Sequence, residues 1–299
     1  MNRILNFGSL NIDMVYSVPH IVRPGETLSA PSRTLHAGGK GLNQSVAAAR
    51  AGARVLHAGN VGEDGAFLRE LLRDAGADIS CLRTVPGPSG HAVIQVDEDG
   101  QNSILVCPGA NAAYDRGYVT EVLDLAAPGD VVLTQNETND VPFLLREARD
   151  RGLTVILNPS PITRDLLTWP LDLVDCFLVN ETEGEALTGE TEPDAILGAM
   201  GRQYPGAVTV LTLGPAGSAR YEKGEILRQT GYPVKAVDTT AAGDTWTGYY
   251  LARRLCGDLP KDAMDWASLA AAIAVSRPGA APSIPVLSEV KSERERRTR

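Results

Sequence analysis

Short apolar runs alternate along the chain with stretches in which apolar residues recur every three or four positions. The apolar runs predict strands at 3–8, 55–62, 130–135, 153–158, 176–180 and 208–214. The longer periodic stretches predict helices at 40–51, 64–75, 116–126, 140–151, 181–188, 193–204, 244–256 and 260–276. Such alternation is typical of a parallel sheet with helices on both faces. The predicted fold class is therefore α/β, a three-layer Rossmann-like domain with a mostly parallel central sheet.

Two segments, 14–36 and 89–107, depart from this pattern and alternate as extended strands do. Within the second, HAVIQVDEDGQNSILV predicts a hairpin that turns at Asp99-Gly100. We interpret both segments as insertions that form a small β lid over the carboxyl edge of the sheet, where open α/β sheets bind ligands. We expect a single domain over residues 1–299. The charged tail KSERERRTR after Val290 is expected to be a solvated, frayed end.

Composition and charge argue against some classes of partner but do not identify a function. The formal net charge of −9 argues against nucleic acid or an anionic membrane as the main partner. No apolar run reaches the roughly 18 residues that a membrane helix needs, and the N-terminus MNRILNFGSL lacks the pattern of a signal peptide. We expect a cytoplasmic protein with reduced thiols, because its cysteines have neither metal-site nor disulfide-framework spacing. They are Cys81, Cys107, Cys176 and Cys256.

The stretch DTTAAGDTWTG (238–248) carries the strongest chemical signal. Three small residues, Ala241, Ala242 and Gly243, precede the acid Asp244 at the start of a predicted helix. Small residues leave backbone N–H groups accessible to an anion, and the positive end of the helix dipole adds to the attraction. A carboxylate beside such an anion hole can accept the proton of a hydroxyl while the hole holds a phosphoryl group. The pattern indicates phosphoryl transfer to an alcohol.

A second group of polar residues lies near the start, in GSLNID (8–13) and GGKGLNQS (38–45). Short amide and acid side chains stand beside glycines, and glycines let a polyhydroxylated ligand approach the backbone closely. These residues are Asn11, Asp13, Asn43, Gly38, Gly39 and Gly41. They predict a sugar site. A tight turn that only precedes a helix would also explain GGKG.

Two further motifs follow predicted strands. In NETE (180–183), Asn180 and Glu183 would share a helix face. An amide and a carboxylate near phosphates suit a hydrated Mg²⁺, but a capping box with Asn180 as N-cap and Glu183 at N3 explains the pattern equally well. The turn TLGPAG (212–217) could lie along a nucleotide or simply close a hairpin.

Taken together and in order, these motifs resemble the ribokinase family of sugar kinases, also called the phosphofructokinase B family. The resemblance covers about residues 3–287. It includes GSLNID, PGET, GGKGLNQ, GAN, LNPSP, NETE, TLGPAG, DTTAAGD and AVSRPGAAPS. Each motif is short, but the ordered set is highly specific. Tyr249 departs from it, since the family usually has a small residue there, and we expect local repacking.

The resemblance implies a role for individual residues. It makes Asp244 the catalytic base, with Ala241, Ala242 and Gly243 as the anion hole. The implied sugar contacts are Asn11, Asp13, Gly39, Lys40, Asn43 and Glu137, and Gly41 joins them as part of GGKG. The implied nucleotide contacts are Asn180, Thr212, Gly214, Gly217 and Gly243, with Glu183 as the acid of the magnesium motif. The positions around an activating K⁺ are Asp238, Thr240, Ala274, Arg277, Gly279 and Ser283.

The implied reaction moves the γ-phosphoryl group of ATP to a primary sugar hydroxyl, with D-ribose as the expected acceptor and Mg²⁺ and K⁺ as cofactors. A kinase of another small sugar or of a nucleoside stays open, although Tyr16 is the only Phe, Tyr or Trp in 9–43 and 88–110. A non-catalytic sugar sensor is disfavoured because it would not need Asp244. We also expect a homodimer through the lid, formed by one apolar face with Val93, Ile94, Val96, Ile104 and Val106.

Overall fold

A nine-stranded sheet forms the centre of the computed structural model, which describes residues 2–297. The strands of the molecule are β1 (Arg3–Phe7), β2 (Asn11–Ser17), β3 (Ser32–Gly38), β4 (Arg54–Val61), β5 (Leu82–Thr84), β6 (Gly90–Val96), β7 (Asn102–Cys107), β8 (Val131–Gln135), β9 (Thr154–Asn158), β10 (Cys176–Asn180), β11 (Val208–Thr212), β12 (Gly217–Glu222) and β13 (Glu225–Thr230). The central sheet has the order β13-β12-β11-β10-β9-β8-β1-β4-β5. Its pairs are parallel except β11–β12 and β12–β13, which are antiparallel.

Helices cover both faces of this sheet. They are α1 (Lys40–Arg50), α2 (Ala66–Asp74), α3 (Arg116–Leu123), α4 (Val141–Asp150), α5 (Glu181–Thr188), α6 (Pro193–Gln203), α7 (Ala242–Leu255), α8 (Pro260–Val275) and α9 (Leu287–Arg297). Successive residues of a strand point to opposite faces. Accordingly, Ile4 packs in a cluster with residues of α1, α7 and α8, whereas Leu5 packs with residues of α3, α4 and α6. The predicted three-layer α/β fold is confirmed.

Three parts of the central domain escaped prediction. The strands β12 and β13 form a hairpin at the sheet edge, where their mixed polar and apolar residues gave no continuous apolar run. The short strand β5 was missed as well. The predicted frayed tail is wrong as far as Arg297, because α9 packs on α8 and Arg294 pairs with Asp265. Met1, Thr298 and Arg299 belong to the predicted 1–299 domain but lie outside the described residues.

The two inserted segments form a separate four-stranded sheet of order β3-β2-β6-β7. Here β2 pairs with β6 in parallel, and the outer pairs are antiparallel. The hairpin is present, since Asp97 and Gln101 close the turn between β6 and β7. The strands of the first segment begin at Asn11 and end at Gly38, slightly outside the predicted 14–36, and residues 18–31 contain no regular element.

The pairing register corrects the predicted single apolar face of this sheet. Residues that pair directly across strands share a face. Ile94 pairs with Ile104 and Val15, whereas Val93 pairs with Leu105 and therefore lies on the opposite face. Both faces of the β6–β7 pair therefore carry apolar residues, because the neighbouring residues Val93 and Ile94 point in opposite directions.

Helices suited to a bilayer are not found within residues 2–297: none combines the necessary length with the necessary apolar character.

Candidate active site

Asp244 lies in the first turn of α7, buried between that helix and α1. Its Oδ1 accepts a hydrogen bond from Nε2 of Gln44 at 2.9 Å. Its Oδ2 accepts one from Nδ2 of Asn43 at 3.0 Å. Both donors are consecutive residues of α1, so one helix holds both oxygens of the carboxylate in a defined orientation.

Gly248 permits this arrangement because it lets α7 and α1 touch. A Cβ atom on Gly248 would lie 2.4 Å from the Cβ of Ala47 and 2.6 Å from the backbone nitrogen of Ala48, distances at which atoms overlap. Only glycine therefore allows the close crossing that brings Asp244 to Asn43. The next residue, Tyr249, is fully buried, and its hydroxyl donates to the Pro285 carbonyl at 2.8 Å. The core therefore accommodates a tyrosine at the position where the family usually has a small residue.

The predicted anion hole forms the start of α7. Ala241 adopts the left-handed conformation with φ 59° and turns the chain into the helix. N–H groups in a first helical turn have no partner within the helix, and the N–H of Ala242 donates instead to the Thr239 carbonyl at 3.2 Å. A Cβ on Gly243 would meet no atom within 4 Å. The start of α7 is therefore open to a ligand at Gly243.

The glycine motif before α1 packs directly on the motif after β1. A Cβ on Gly41 would lie 2.3 Å from Cα of Gly8, so backbone crowding requires this glycine. The carboxylate of Glu137 ties the two motifs together, since it accepts hydrogen bonds from the Lys40 N–H at 2.9 Å and from the Ser9 hydroxyl. The motif therefore joins the last residue of β3, Gly38, to the first residues of α1 through the N-cap Gly39, and the half-buried Glu137 anchors this junction.

Asn11 and Asp13 begin β2 at the base of the lid. The Asn11 Oδ1 accepts a hydrogen bond from Nδ2 of Asn111 at 2.7 Å. Asn111 also accepts from the Leu10 N–H at 2.9 Å, so its orientation is fixed. With Oδ1 identified by this bond, the Nδ2 of Asn11 is the group that can donate to a ligand. The Asp13 carboxylate lies against Gly38, where a Cβ would come within 2.1 Å of it.

Half-buried charges of both signs meet around these residues. Burial, with repulsion from Glu137, raises the pKa of Asp13 to about 6. Burial also raises the pKa of Glu137. Burial alone would lower the pKa of Lys40, yet its pKa is raised because three carboxylates attract the ammonium group. Those carboxylates belong to Asp244, Glu137 and Glu183. Lys40 is therefore a cation at the centre of an acidic site.

Two adjoining cavities lie at the start of α7, and Asp244 lines the smaller of them. The smaller, of about 220 Å³, is lined by Lys40, Asn180, Glu183, Thr212 and residues 241–244 among others. The larger, of about 540 Å³, contains the predicted nucleotide residues Thr212, Gly214, Gly217 and Gly243 and is otherwise largely apolar. Gly217 has an additional, structural reason to be glycine, since a Cβ there would lie 2.0 Å from the Gln229 carbonyl oxygen of β13.

Asn180 and Glu183 form a complete capping box at the start of α5. The Glu183 N–H donates to Oδ1 of Asn180 at 2.9 Å, and Oε2 of Glu183 accepts from the Asn180 N–H at 3.0 Å. The capping geometry predicted from the sequence is therefore present. Both side chains also line the smaller cavity, so each retains contact with the space where phosphates would lie.

The residues predicted around a monovalent cation come from two loops that the fold joins. Asp238 accepts hydrogen bonds from the Gly279 N–H at 2.9 Å and from the Thr240 N–H at 2.9 Å. Ser283 donates to the Ala280 carbonyl at 2.8 Å. The Ala274 carbonyl accepts from the Arg277 N–H at 3.0 Å, while the Arg277 side chain turns outward to Glu289. Backbone oxygens of these loops, rather than the Arg277 guanidinium, are the available cation ligands.

Sequence reasoning missed three polar residues of this site: Gln44 and Asn111, which are buried, and Asn158, which is half-buried. Gln44 contacts Asp244, Asn111 orients Asn11, and Asn158 accepts from Gln44 at 3.0 Å. All three stand inside motifs that carried the family resemblance, namely GGKGLNQ, GAN and LNPSP. Their place in those motifs was the signal that could have identified them. Their contacts could not be predicted, because each of these hydrogen-bond partners lies more than 90 residues away in the chain.

Comparisons with known proteins agree with this geometry. The model of the family described as pfkB family carbohydrate kinase matches residues 1–287. The chain is 38% identical to a ribokinase of Haemophilus influenzae, over 94% of this chain and 95% of that protein. Its structure is similar to that of a Cryptococcus neoformans ribokinase in complex with ADP, with a TM-score of 0.87 and 33% identity over 98% of this chain and 100% of that one. It is also similar to an Arabidopsis thaliana ribokinase complexed with ribose and ATP, with a TM-score of 0.86 and 32% identity over 98% of both chains.

Proposed function

The chain belongs to the pfkB family of carbohydrate kinases, and on that premise we propose that it phosphorylates the 5-hydroxyl of D-ribose with ATP. The products are ribose 5-phosphate and ADP. The observation that carries the proposal is the position of Asp244, whose carboxylate is held by the buried amides of Asn43 and Gln44 and lines the smaller cavity, which adjoins the larger apolar one. A sugar suits the polar side and an adenine base the apolar side.

The proposed mechanism uses groups of this chain at every step. The Asp244 carboxylate accepts the proton of the sugar hydroxyl as its oxygen attacks the γ-phosphorus. The N–H groups at the start of α7 and the Lys40 ammonium stabilise the negative charge on the transferred group. The lid sheet covers the sugar and excludes water, which would otherwise compete for the phosphoryl group.

A bare sugar fits the lid better than a nucleoside. The face of the lid that carries Asn11 and Asp13 continues with Val15, Ala92 and Ile94, by the pairing register. Tyr16 is the neighbour of Val15 on β2 and therefore points to the opposite face. Among the described residues, this face carries aliphatic side chains and the His36 imidazole, which pairs with Asp13, but no Phe, Tyr or Trp ring on which a nucleoside base could stack.

The decisive experiment measures ADP release by the purified protein with D-ribose, 2-deoxy-D-ribose, D-fructose and adenosine. We expect kcat/KM for D-ribose to exceed that for each of the others by at least about tenfold, which is about 1.4 kcal/mol of discrimination. A preference for adenosine would replace the proposal with a nucleoside kinase. Ribose binding without ADP release would support the sugar sensor.

Magnesium is the divalent cation we propose at the phosphates, with Glu183 and Asn180 as its protein contacts through water. When bound, it would neutralise charge on the β- and γ-phosphates. Within residues 2–297, no group of three or more His, Cys, Asp or Glu side chains is arranged to hold a metal. A site with few protein ligands and several waters and phosphate oxygens is consistent with that finding.

We further propose that K⁺ binds between the loops 238–240 and 274–283 and activates the enzyme. The supporting observation is the hydrogen bond from Gly279 to Asp238, which joins these loops four residues before Ala242. An ion there would order the start of α7 without touching the substrate. Turnover in K⁺ should exceed turnover in tetramethylammonium buffer, and equal rates would contradict the proposal.

A homodimer through the lid is the proposed assembly. The edge strand β7 exposes Ile104, Leu105 and Val106, with 54%, 71% and 61% of their surface accessible. An exposed apolar edge strand is prone to pair with another chain unless it is covered. Light scattering should give twice the 31.7 kDa mass of the chain, and Val106→Asp should halve it. A wild-type monomer would refute the interface.

The cytoplasm is the proposed compartment. All four cysteines of the described chain are free, which suits a reducing environment.

A further inference from the structure

A chain of hydrogen-bonded amide groups leads from Asp244 into the central sheet. It starts at Gln44, whose side chain is fully buried on α1. Its Nε2 donates to Asp244 at 2.9 Å and to Asn158 at 3.0 Å, and its Oε1 accepts from Nε2 of Gln135 at 2.8 Å. Every polar atom of the Gln44 amide is therefore engaged, and the amide has one possible orientation.

The chain continues through the sheet and contains no other charge. Gln135 Nε2 also donates to Oδ1 of Asn6 at 3.0 Å, and Asn6 in turn donates to Ser45 at 2.8 Å. The Ser45 hydroxyl meets Nδ1 of His57 at 2.7 Å. Burial lowers the pKa of His57 to about 4, so the imidazole is neutral near pH 7. The whole network is fixed by the central sheet and directs a donor at Asp244.

The contacts of Asn43 indicate that Oδ2 is the oxygen of Asp244 that faces the sugar. Its Nδ2 donates to Oδ2, while its own Oδ1 is buried without a hydrogen-bond partner among the described residues. A buried acceptor without a donor is costly, and a hydroxyl of a bound sugar would satisfy it. That hydroxyl would then lie beside Oδ2, whereas Oδ1 is turned toward the buried network.

We propose that Gln44 is a positioning residue that anchors Oδ1 of Asp244, so that Oδ2 is the oxygen that receives the proton. This inference rests on the proposed kinase function. In the step itself, the O–H bond of the sugar breaks and its proton moves to Oδ2. The sugar oxygen forms a bond to the γ-phosphorus, and the bond from that phosphorus to the β–γ bridging oxygen breaks. ADP leaves with the electron pair.

The physical basis is the sensitivity of proton transfer to geometry. A carboxylate without its Oδ1 partner can rotate about its Cβ–Cγ bond, and Oδ2 then leaves the line to the hydroxyl. Misplacement of a reacting group by about 1 Å can cost on the order of 10²-fold in rate. The anchor does not touch the sugar, so its loss should lower kcat and leave KM for the sugar nearly unchanged.

The first test compares Gln44→Met with Gln135→Met. Both replace a buried amide of the same network by an apolar side chain of similar length, but only the first removes a donor to Asp244. We expect Gln44→Met to lower kcat by about 10- to 100-fold and Gln135→Met to lower it by less than about threefold, with KM for ribose changed less than about threefold in both. Equal losses of kcat in the two variants would overturn the proposal, because general disturbance of the network would then explain them.

A second variant covers the case in which Gln44→Met does not fold. Gln44→Glu keeps the shape, but the introduced carboxyl can donate to Asp244 only when it is protonated and repels Asp244 when it is not. Its kcat relative to wild type should therefore rise by several fold as the pH falls from 8 to 6. A ratio that is independent of pH would contradict the anchoring role.

Crystal structures of wild type and the Gln44 variants separate failure of this inference from failure of the proposed function. The Asp244 carboxylate should keep its orientation in wild type and rotate or split into two conformers in the variants. An unmoved carboxylate overturns the anchor, whatever the substrate. A wild-type protein that releases no ADP with ribose overturns the function alone.

Discussion

The two sides of the active site differ in the polarity of the residues that form them. On the sugar side, charged and amide side chains from distant segments are buried or half-buried and hydrogen-bonded, as Glu137 is to the Ser9 hydroxyl and the Lys40 N–H. On the nucleotide side, the 540 Å³ cavity has a largely apolar lining of glycines, alanines and Trp246. A site of directed hydrogen bonds rejects ligands that lack the matching groups, whereas an apolar pocket discriminates mainly by shape. Substitutions on the two sides should therefore fail in different ways.

The largest effect is expected between the two sides, at Asp244. Asp244→Asn keeps the shape of the side chain but removes the proton acceptor, so kcat should fall by about 10²- to 10⁴-fold. The Kd for ATP, measured by calorimetry, should change little. A folded variant that keeps more than about a tenth of wild-type kcat would show that Asp244 is not the base.

On the sugar side, Asp13→Asn should weaken ribose binding and increase the stability of the fold. Loss of hydrogen bonds to a charged group costs about 1.5–3 kcal/mol, so KM for ribose should rise by about 10- to 100-fold at pH 8. Burial and Glu137 raise the pKa of Asp13 from 3.8 to about 6, so the folded protein holds this proton more tightly than the unfolded chain. Ionisation of Asp13 therefore destabilises the fold above pH 6.

The stability gain of Asp13→Asn should accordingly depend on pH. Urea unfolding should show a gain of about 1–3 kcal/mol at pH 8, which shrinks as the pH falls from 6 to below 3.8, where the wild-type carboxyl is mostly protonated in both states. Asp99→Asn, in the exposed lid turn, is the matched control and should change neither KM nor stability. A gain that persists in full below pH 3.8 would mean that ionisation is not its cause. Wild-type KM for ribose should also rise below pH 6.

On the nucleotide side, Ala271→Leu should act by shape alone. Ala271 lines the larger cavity, and a leucine would occupy space that the base needs. Overpacking of this kind costs about 1–2 kcal/mol, so KM for ATP should rise by about 5- to 20-fold while KM for ribose stays within about twofold. Ala186→Leu, on the exposed side of α5, is the control. An equal rise in both KM values would show that the two sides are not independent.

The smallest effect is expected at Glu183, where the capping and magnesium roles meet. Glu183→Gln retains an oxygen for the Asn180 N–H but loses the charge, so the melting temperature should change little because a cap contributes only about 1 kcal/mol. Half-maximal activity should require several-fold more Mg²⁺. A lower melting temperature with an unchanged Mg²⁺ titration would assign Glu183 to capping alone.

Periodicity and motif order in the sequence determined most of the fold. The run RILNFG and its counterparts predicted the parallel strands, because strands buried on both faces must be apolar throughout. DTTAAGD and GGKGLNQ indicated phosphoryl transfer to a sugar through local chemistry: small residues, a helix start and an acid. The β12–β13 hairpin and α9 could not be predicted in this way, because their polar residues are stabilised by neighbours distant in the sequence.

The tertiary structure decided what surrounds each predicted residue. Asp244 was predicted as a base, but the hydrogen bond from Gln44, 200 positions earlier in the chain, depends on the close crossing at Gly248. The separation of Val93 from Ile94 onto opposite lid faces depends on pairing register, since a shift of one residue exchanges the faces of a strand. Residue types along the chain set which chemistry is possible. Which atoms meet depends on how helices and strands pack, because hydrogen bonds across such separations form only once the fold has brought their partners together.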